Sequence, residues 1–448
     1  MAWVLDLEQK IGDLSVAIGE VDLWPIIRNS VILALLDESG PAWPGRKHPS
    51  GKMARFFHSL RSFFKVKRTD LVFVTDTKYS ERIQGQYFIK DVDGVAGLEE
   101  NNGKSMTIAL YDKADRPLSR DADILVSLYA IKGIALILAR LRAKLPLPKK
   151  LTVLLNIVSE AASETGNLRI SRDQLKKQLL RNIMFSVMAC KLFGVWLNKA
   201  QPEKVFIHCY YSPLGMALCA ACKSRGIEIV DVQHGLAGRN MRAYGQWRNS
   251  PKGGFSTMPA KFLSWTEADA AAINEWSEAV GLGNIAFNSG QLWLRYFYQS
   301  GLSERARDEW RRFLNEIKCF KKRLVITLQF PEIDKNILEL IVNSEKDICF
   351  LIRAHPNSLG SQMPERLADI AFKNENVFIF EPTLIPIGLI LEVSDLNITG
   401  WSASVYESYF VGVSSLITSR IGESYFDHLE LQNYIINVSS YEEIKDKL

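Results

Sequence analysis

At 448 residues the chain is about three times the usual single-domain length, so two domains with separate cores are expected and a single small module is excluded. A hydrophobic fraction of 47% with 23% charged residues excludes a disordered chain and a disulfide scaffold, and the six cysteines, mostly inside apolar stretches, read as reduced thiols of a cytoplasmic protein. The formal net charge of +5 is mild, and no nucleic-acid-binding motif accompanies it, so DNA and RNA are not expected partners.

The first apolar run is broken by Asp6, Glu8 and Asp13, which argues against a secretory signal. No stretch reaches the roughly 18 uncharged apolar residues of a bilayer crossing. Residues 55–68 (RFFHSLRSFFKVKR) interleave Phe56, Phe57, Phe63 and Phe64 with cations, and residues 137–150 repeat the theme with Arg140, Arg142, Lys144, Lys149 and Lys150. Two readings fit both stretches: helices resting on an anionic membrane surface, or amphipathic helices packed on their own domain with solvated charges outside.

Strands are predicted over 71–75 (LVFVT) and 106–110 (MTIAL), and long helices over 123–144 and 173–198, where apolar residues recur at the helical repeat. A strand over 205–208, a helix over 213–225 and a strand over 228–232 make a βαβ unit. That unit places Asp231 to Gly235 at a carboxyl edge, where open α/β sheets bind ligands. His208, inside the same unit, reads as a satisfied core histidine. Cys219 and Cys222 form a CxxC within an Ala-rich apolar helix, and no second Cys or His pair completes a set, so no metal site is expected.

From about residue 302 the pattern alternates: strands over 324–328, 348–352, 377–380, 396–399 and 415–418, with helices over 335–343, 386–391 and 402–411. This is the signature of a doubly wound sheet. Gly301 and Ser303 precede a charged helix, which divides the chain into 1–300, an α/β domain with helical additions, and 301–448, a Rossmann-like domain.

Arg353, His355 and Pro356 follow the 348–352 strand directly. A cation and an imidazole at a strand's carboxyl end, stiffened by proline, can converge on one phosphate. Thr399 to Glu407 (TGWSASVYE) follows the 396–399 strand; Gly400 permits close approach, Ser402 and Ser404 offer hydroxyls at a predicted helix N-terminus, and Glu407 can accept from ribose hydroxyls. Gln329 and Thr383 occupy equivalent strand ends. Across the expected cleft, Asp231 and His234 are the candidate catalytic groups, as base, nucleophile or orienter, with Gln233 beside them.

These residues together resemble a known family. The QHG at Gln233, His234 and Gly235, the Ser264-Trp265-Thr266 segment, the His355-Pro356 pair and the TGWSxSxxE element at 399–407 resemble bacterial capsule and lipopolysaccharide glycosyltransferases of the GT-B fold, over residues 205–419. The HP and Ser-rich elements are similar to those of transferases using CMP-activated sialic acid or Kdo. The resemblance implies two Rossmann-like domains facing across a cleft, with 1–300 on the acceptor side and 301–448 binding the nucleotide sugar. It implies retaining transfer of Kdo from CMP-Kdo onto a growing surface polysaccharide, with no metal and no cofactor. His355 would then bind the donor phosphate, Ser402 and Ser404 the phosphate or adjoining groups, and Glu407 the nucleotide; Asp231 would match the active-site carboxylate, with Gln233, Gly235 and Trp265 on the substrate side. The acidic pair that precedes glycine in the sialyltransferases has no counterpart before Gly235, which argues against sialic acid. Partners implied are a nucleotide-sugar donor and a glycan or lipid-linked oligosaccharide acceptor; the basic stretches over 55–68 and 137–150 add an anionic membrane surface as an expected partner, placing the protein in the cytoplasm or peripherally on the inner membrane. Other chemistries share these strand ends: a transferase using a UDP- or GDP-sugar or CDP-glycerol, and a nucleotide-sugar epimerase, which would want more than one well-placed carboxylate. A non-catalytic scaffold of polysaccharide export is the remaining alternative.

Overall fold

A computed structural model describes residues 2–35, 52–98, 103–111, 118, 123–358, 363–429 and 434–448. Leu71–Thr75 and Met106–Leu110 are buried along their whole length. Strands with no polar face belong in a sheet covered on both sides, which means a parallel one with helical crossovers. Seven parallel strands form that sheet, in the order Ala286–Asn288, Lys261–Ser264, Glu228–Val232, Lys204–Ile207, Leu71–Thr75, Met106–Leu110, Ile124–Ser127. Winding starts at Leu71–Thr75, runs to one edge, then returns to Lys204–Ile207 and runs to the other.

The second sheet repeats the plan with six parallel strands: Val377–Phe380, Ile348–Arg353, Lys322–Thr327, Leu396–Thr399, Ser415–Ile417, Ile435–Asn437. Here the winding reverses between Lys322–Thr327 and Leu396–Thr399. At such a reversal the two flanking connections diverge to opposite faces, which opens a crevice at the carboxyl edge.

The helix expected over 123–144 is in fact the strand Ile124–Ser127 followed by the helix Tyr129–Arg142. Short apolar runs satisfy both periodicities, and pairing with Met106–Leu110 decides for the strand. The helix expected over 402–411 spans only Ser404–Phe410. Helix Arg172–Ala200 is long and apolar enough to cross a membrane by length and hydropathy. It serves instead as the core helix of the first unit, with Leu175, Leu179, Ile183, Phe193 and Trp196 buried and a Ser171/Gln174 capping box at its start.

A hairpin of the first unit reaches across to the second. The hairpin Ser80–Ile83/Gln86–Ile89 follows the first sheet's strand Leu71–Thr75 in sequence, yet its Ile83 and Phe88 pack with Trp293, Phe297, Val325 and Leu351 in the core that backs the second sheet. Its Glu81 is thereby carried to the second unit's strand ends.

Candidate functional site

The reversal in the second sheet opens a cavity of about 250 Å³ lined by Gln329, Phe330, Thr399, Gly400, Trp401, Thr418 and Ser419 among others. Thr399 is the last residue of its strand; its hydroxyl donates to the Thr327 carbonyl at 2.9 Å and receives the Gln329 amide at 3.4 Å. Phe330 and Trp401 meet edge to face, with ring centroids 5.4 Å apart. Two aromatic rings with amide and hydroxyl groups around them make a site for a flat polar ring.

His355 stands at the adjoining strand end. Its Nδ1 accepts the Asn357 amide at 3.0 Å, which leaves the ring proton on Nε2. Burial, with Lys78 and Arg353 nearby, pushes its pKa down to about 4, so at neutral pH it is an uncharged Nε2–H donor.

Other expected donor residues face elsewhere. Arg353 is buried and its Nη2 lies 3.6 Å from Glu81 while donating to the Pro382 carbonyl, so that end of its guanidinium is engaged inside the protein. Glu407 accepts from Lys90 at 2.8 Å, the second half of the same junction. Ser404 is buried, its hydroxyl 2.8 Å from that of Thr327, because the helix begins at Ser404 and not at Ser402. Ser402 keeps a partly exposed hydroxyl that accepts the Ser404 amide at 3.2 Å. Thr383 is buried, and its carbonyl accepts the Arg82 amide. Pro356 opens a single turn that lies against Thr77–Tyr79 of the first unit.

On that opposing side, the strand ends of the first sheet bring His208 and His234 together with Asp76, Lys78, Tyr79 and Asp91, which the sequence did not single out. Asp76, Lys78 and Tyr79 follow Leu71–Thr75, and His208 follows Lys204–Ile207, on the two sides of the winding reversal. The rings of His208 and His234 meet tilted by 38° with centroids 3.8 Å apart, and the Tyr79 ring centre lies 4.3 Å from that of His208. Asp91 Oδ1 receives the Thr75 hydroxyl at 3.0 Å, and its Oδ2 is 3.4 Å from His208 Nδ1. His234 Nε2 is 3.3 Å from the Tyr211 hydroxyl, and burial beside His208 holds His234 well below the usual imidazole pKa. A small cavity of about 30 Å³ is lined by Tyr79, Lys90, Asp91, His208, His234 and Trp265. Nε2 of His208 and Nδ1 of His234 are buried without a hydrogen-bond partner, and His208 Nδ1 has only the 3.4 Å approach of Asp91. His208 is therefore not the satisfied core histidine the sequence led us to expect. Buried polar atoms are nearly always paired, so unpaired imidazole nitrogens lining one cavity make it a candidate binding site.

Asp231 does not line that cavity. Its carboxylate receives the Tyr244 hydroxyl at 2.9 Å and the Tyr210 amide at 3.3 Å in a nest of aromatic rings. Burial pushes its pKa up to about 7, only partly offset by those two donors. The folded acid holds a proton that the unfolded chain releases near 3.8, so its contribution to stability is complete below that pH and gone once the folded value is passed. Asp231→Asn is expected to match or exceed the native melting temperature above about pH 7 and to remove a fall in stability between about pH 4 and pH 7. Parallel native and variant profiles across that window would overturn the assignment.

Gln233, Gly235 and Trp265 form a junction between the units. Gln233 receives the Trp265 amide at 2.7 Å and donates to the Gly235 carbonyl and to Asp269. Asp269 in turn accepts from Tyr406 at 2.9 Å and lies 2.7 Å from His428 Nε2, both from the second unit.

No family model matches the chain, and no curated protein sequence matches it. Among solved structures it is similar to UDP-GlcNAc 2-epimerase of Methanocaldococcus jannaschii in complex with UDP-GlcNAc and UDP, at 16% identity and a TM-score of 0.50, over 84% of this chain and 91% of that one. It is also similar to UDP-GlcNAc 2-epimerase of Neisseria meningitidis bound to UDP-GlcNAc (13% identity, TM-score 0.47, 84% and 91% covered) and to the glycotransferase of kitacinnamycin (10%, 0.43, 85% and 89%). What the first likeness shows is the fold: two Rossmann-like units facing across a cleft, the GT-B arrangement.

Proposed function

We propose that the chain is an enzyme acting on a nucleotide-activated sugar, and that its central step is departure of the nucleotide from the anomeric carbon. One observation carries this. The winding reversals of two parallel sheets face each other, and between them stand His355 and Lys78, both donors, with the imidazoles of His208 and His234 behind. In this reading the base and ribose occupy the cavity lined by Gln329, Trp401 and Gly400. The Nε2–H of His355, the Lys78 ammonium and the Ser402 hydroxyl stabilise the phosphate as charge develops on it. The sugar lies over Tyr79, His208 and His234; His208 is the acid–base group and Asp91 orients it.

Two finer chemistries share that step. Epimerisation beside the anomeric carbon needs one group to remove a proton and another to return it on the opposite face; the Asp91–His208 pair and Tyr79 provide such groups, and the fold likeness to UDP-GlcNAc 2-epimerase adds weight. Transfer of the sugar, in its most specific form Kdo from CMP-Kdo onto a surface polysaccharide, is supported by the motif resemblance. It is supported also by the single carboxylate, Asp91, lining the small cavity among the described residues. In that case Asp231 supports the site from beneath.

Incubation with UDP-, CMP- and GDP-sugars in heavy water tests both. Deuterium at carbon 2 with a new epimer identifies the first chemistry, and a glycan product with released nucleotide the second. No turnover with any of them would end the proposal. His355→Ala is expected to weaken binding of the productive nucleotide by about tenfold or more, the worth of one hydrogen bond to a charged group, measured by calorimetry. An unchanged Kd would remove His355 from the donor site.

A further inference from the structure

The basic aromatic stretches take no part in the cleft. Helix Lys52–Phe64 docks on the start of helix Tyr129–Arg142: the Ser59 hydroxyl donates to the Ser127 carbonyl and receives the Ala130 amide, and the Arg55 guanidinium lies 4.7 Å from the Tyr129 ring centre. The ring of Phe56 comes so close to Gly133 that an added Cβ there would sit 3.5 Å from it. The two helices thus form one continuous surface.

Its outer side is apolar. Met53 is 69% exposed, Phe57 60% and Phe64 59%, and these positions share one stripe of their helix. On the neighbouring helix Ile137 is 56% and Leu141 58% exposed, one turn apart, with Leu136, Leu138 and the following Leu145 also exposed. Scattered apolar residues on a surface need no explanation, but two touching helices with aligned stripes do.

Charge identifies the occupant. Neither residues 53–68 nor residues 124–150 contain a single Asp or Glu, while they hold Arg55, Arg61, Lys65, Lys67 and Arg68, and Lys132, Arg140, Arg142, Lys144, Lys149 and Lys150. These cations exceed the whole chain's net charge of +5, so the remainder of the molecule is net acidic. A protein partner with a patterned interface would meet a mixture of charges; an extended cationic rim around Phe, Leu and Ile fits a surface that is uniformly anionic outside and apolar within.

We propose that the face formed by helices Lys52–Phe64 and Tyr129–Arg142 docks the protein on an anionic lipid bilayer. Phe57, Ile137 and Leu141 enter the boundary between headgroups and acyl chains, and Arg61, Arg140 and Lys144 lie among the lipid phosphates. The cleft then operates beside the bilayer without any helix crossing it. The proposal does not depend on which sugar reaction the cleft performs.

Flotation of the full chain with vesicles tests it. Binding is expected to vesicles of equimolar phosphatidylcholine and phosphatidylglycerol, to be absent with phosphatidylcholine alone, and to weaken as salt is raised. Each of Arg140→Gln and Lys144→Gln is expected to weaken binding about fivefold, the worth of one cation at such a surface. Ile137→Glu/Leu141→Glu is expected to lose about tenfold or more, with unchanged circular dichroism and unchanged turnover of a soluble nucleotide sugar. Equal binding to neutral vesicles, no binding at low salt, or self-association through this face that the Glu variants abolish would each overturn the proposal.

Discussion

Asp91→Asn and His208→Gln are each expected to lower kcat by about 10²–10⁴-fold, the range supplied by a positioned acid–base group, with the affinity for nucleotide little changed. The two side chains act as a unit. Thr75 holds one carboxylate oxygen at 3.0 Å, and the other faces His208 Nδ1 at 3.4 Å, which favours the tautomer with its proton on Nδ1 and leaves Nε2 free to take one. Asparagine keeps the Thr75 contact but offers His208 Nδ1 no carboxylate, so the double variant is expected to be no worse than His208→Gln alone. The pH profile adds an independent check, because loss of an acid–base group removes or displaces a limb of the rate curve, whereas loss of packing lowers all of it. A fully additive pair of variants, or wild-type turnover in either single one, would mean that these residues only fill space.

How far the sequence foresees this site can be judged residue by residue. The βαβ unit over 205–232 and the alternation after residue 302 place His234, Gln329 and His355 at strand ends, because buried parallel strands are apolar throughout and end at polar residues. The same rule applied to 71–75, a strand also legible, would have drawn attention to Lys78 and Tyr79. Asp91 is different: it lies in the helix Lys90–Ala96 after the crossing hairpin, and nothing local shows that the chain returns to its own strand end. Arg353 reads correctly as a cation at a strand's carboxyl end. Its partner, Glu81, stands in the other unit, and the sequence distance between them conceals the pair. Asp231 has the right place and the wrong direction, since strand alternation turns it toward Tyr244 while its neighbour His234 meets His208. Sequence patterns report which edge a residue occupies; facing and pairing depend on contacts between distant segments.

That distant pairing has a measurable consequence at Glu81, whose replacement by alanine is expected to destabilise the protein by about 3–5 kcal/mol, the cost of leaving a buried charge without its partner. The carboxylate is almost fully buried and has four neighbours. It accepts from the indole of Trp293 at 2.8 Å and the amide of Ile387 at 3.1 Å, and it faces Arg353 at 3.6 Å and Lys90 at 3.9 Å. Removing it leaves one guanidinium without its only carboxylate among those contacts and two N–H donors without acceptors, in a core where water has no ready access. Lys90 is less affected, because Glu407 remains 2.8 Å away and its ammonium is a quarter exposed. Glu81→Gln retains an acceptor for Trp293 or Ile387 and should recover part of the loss, which separates hydrogen bonding from charge. Arg353→Ala is expected to be comparably destabilising, and this distinguishes the structural arrangement from the phosphate-binding role suggested by the residue's position, which predicts weaker nucleotide binding at unchanged stability. Urea denaturation followed by tryptophan fluorescence reads the difference, since Trp293 is itself in the junction. Were Glu81→Ala to unfold within about 1 kcal/mol of the native chain, the buried network would be a weak contact and would contribute little to holding the hairpin against the second unit.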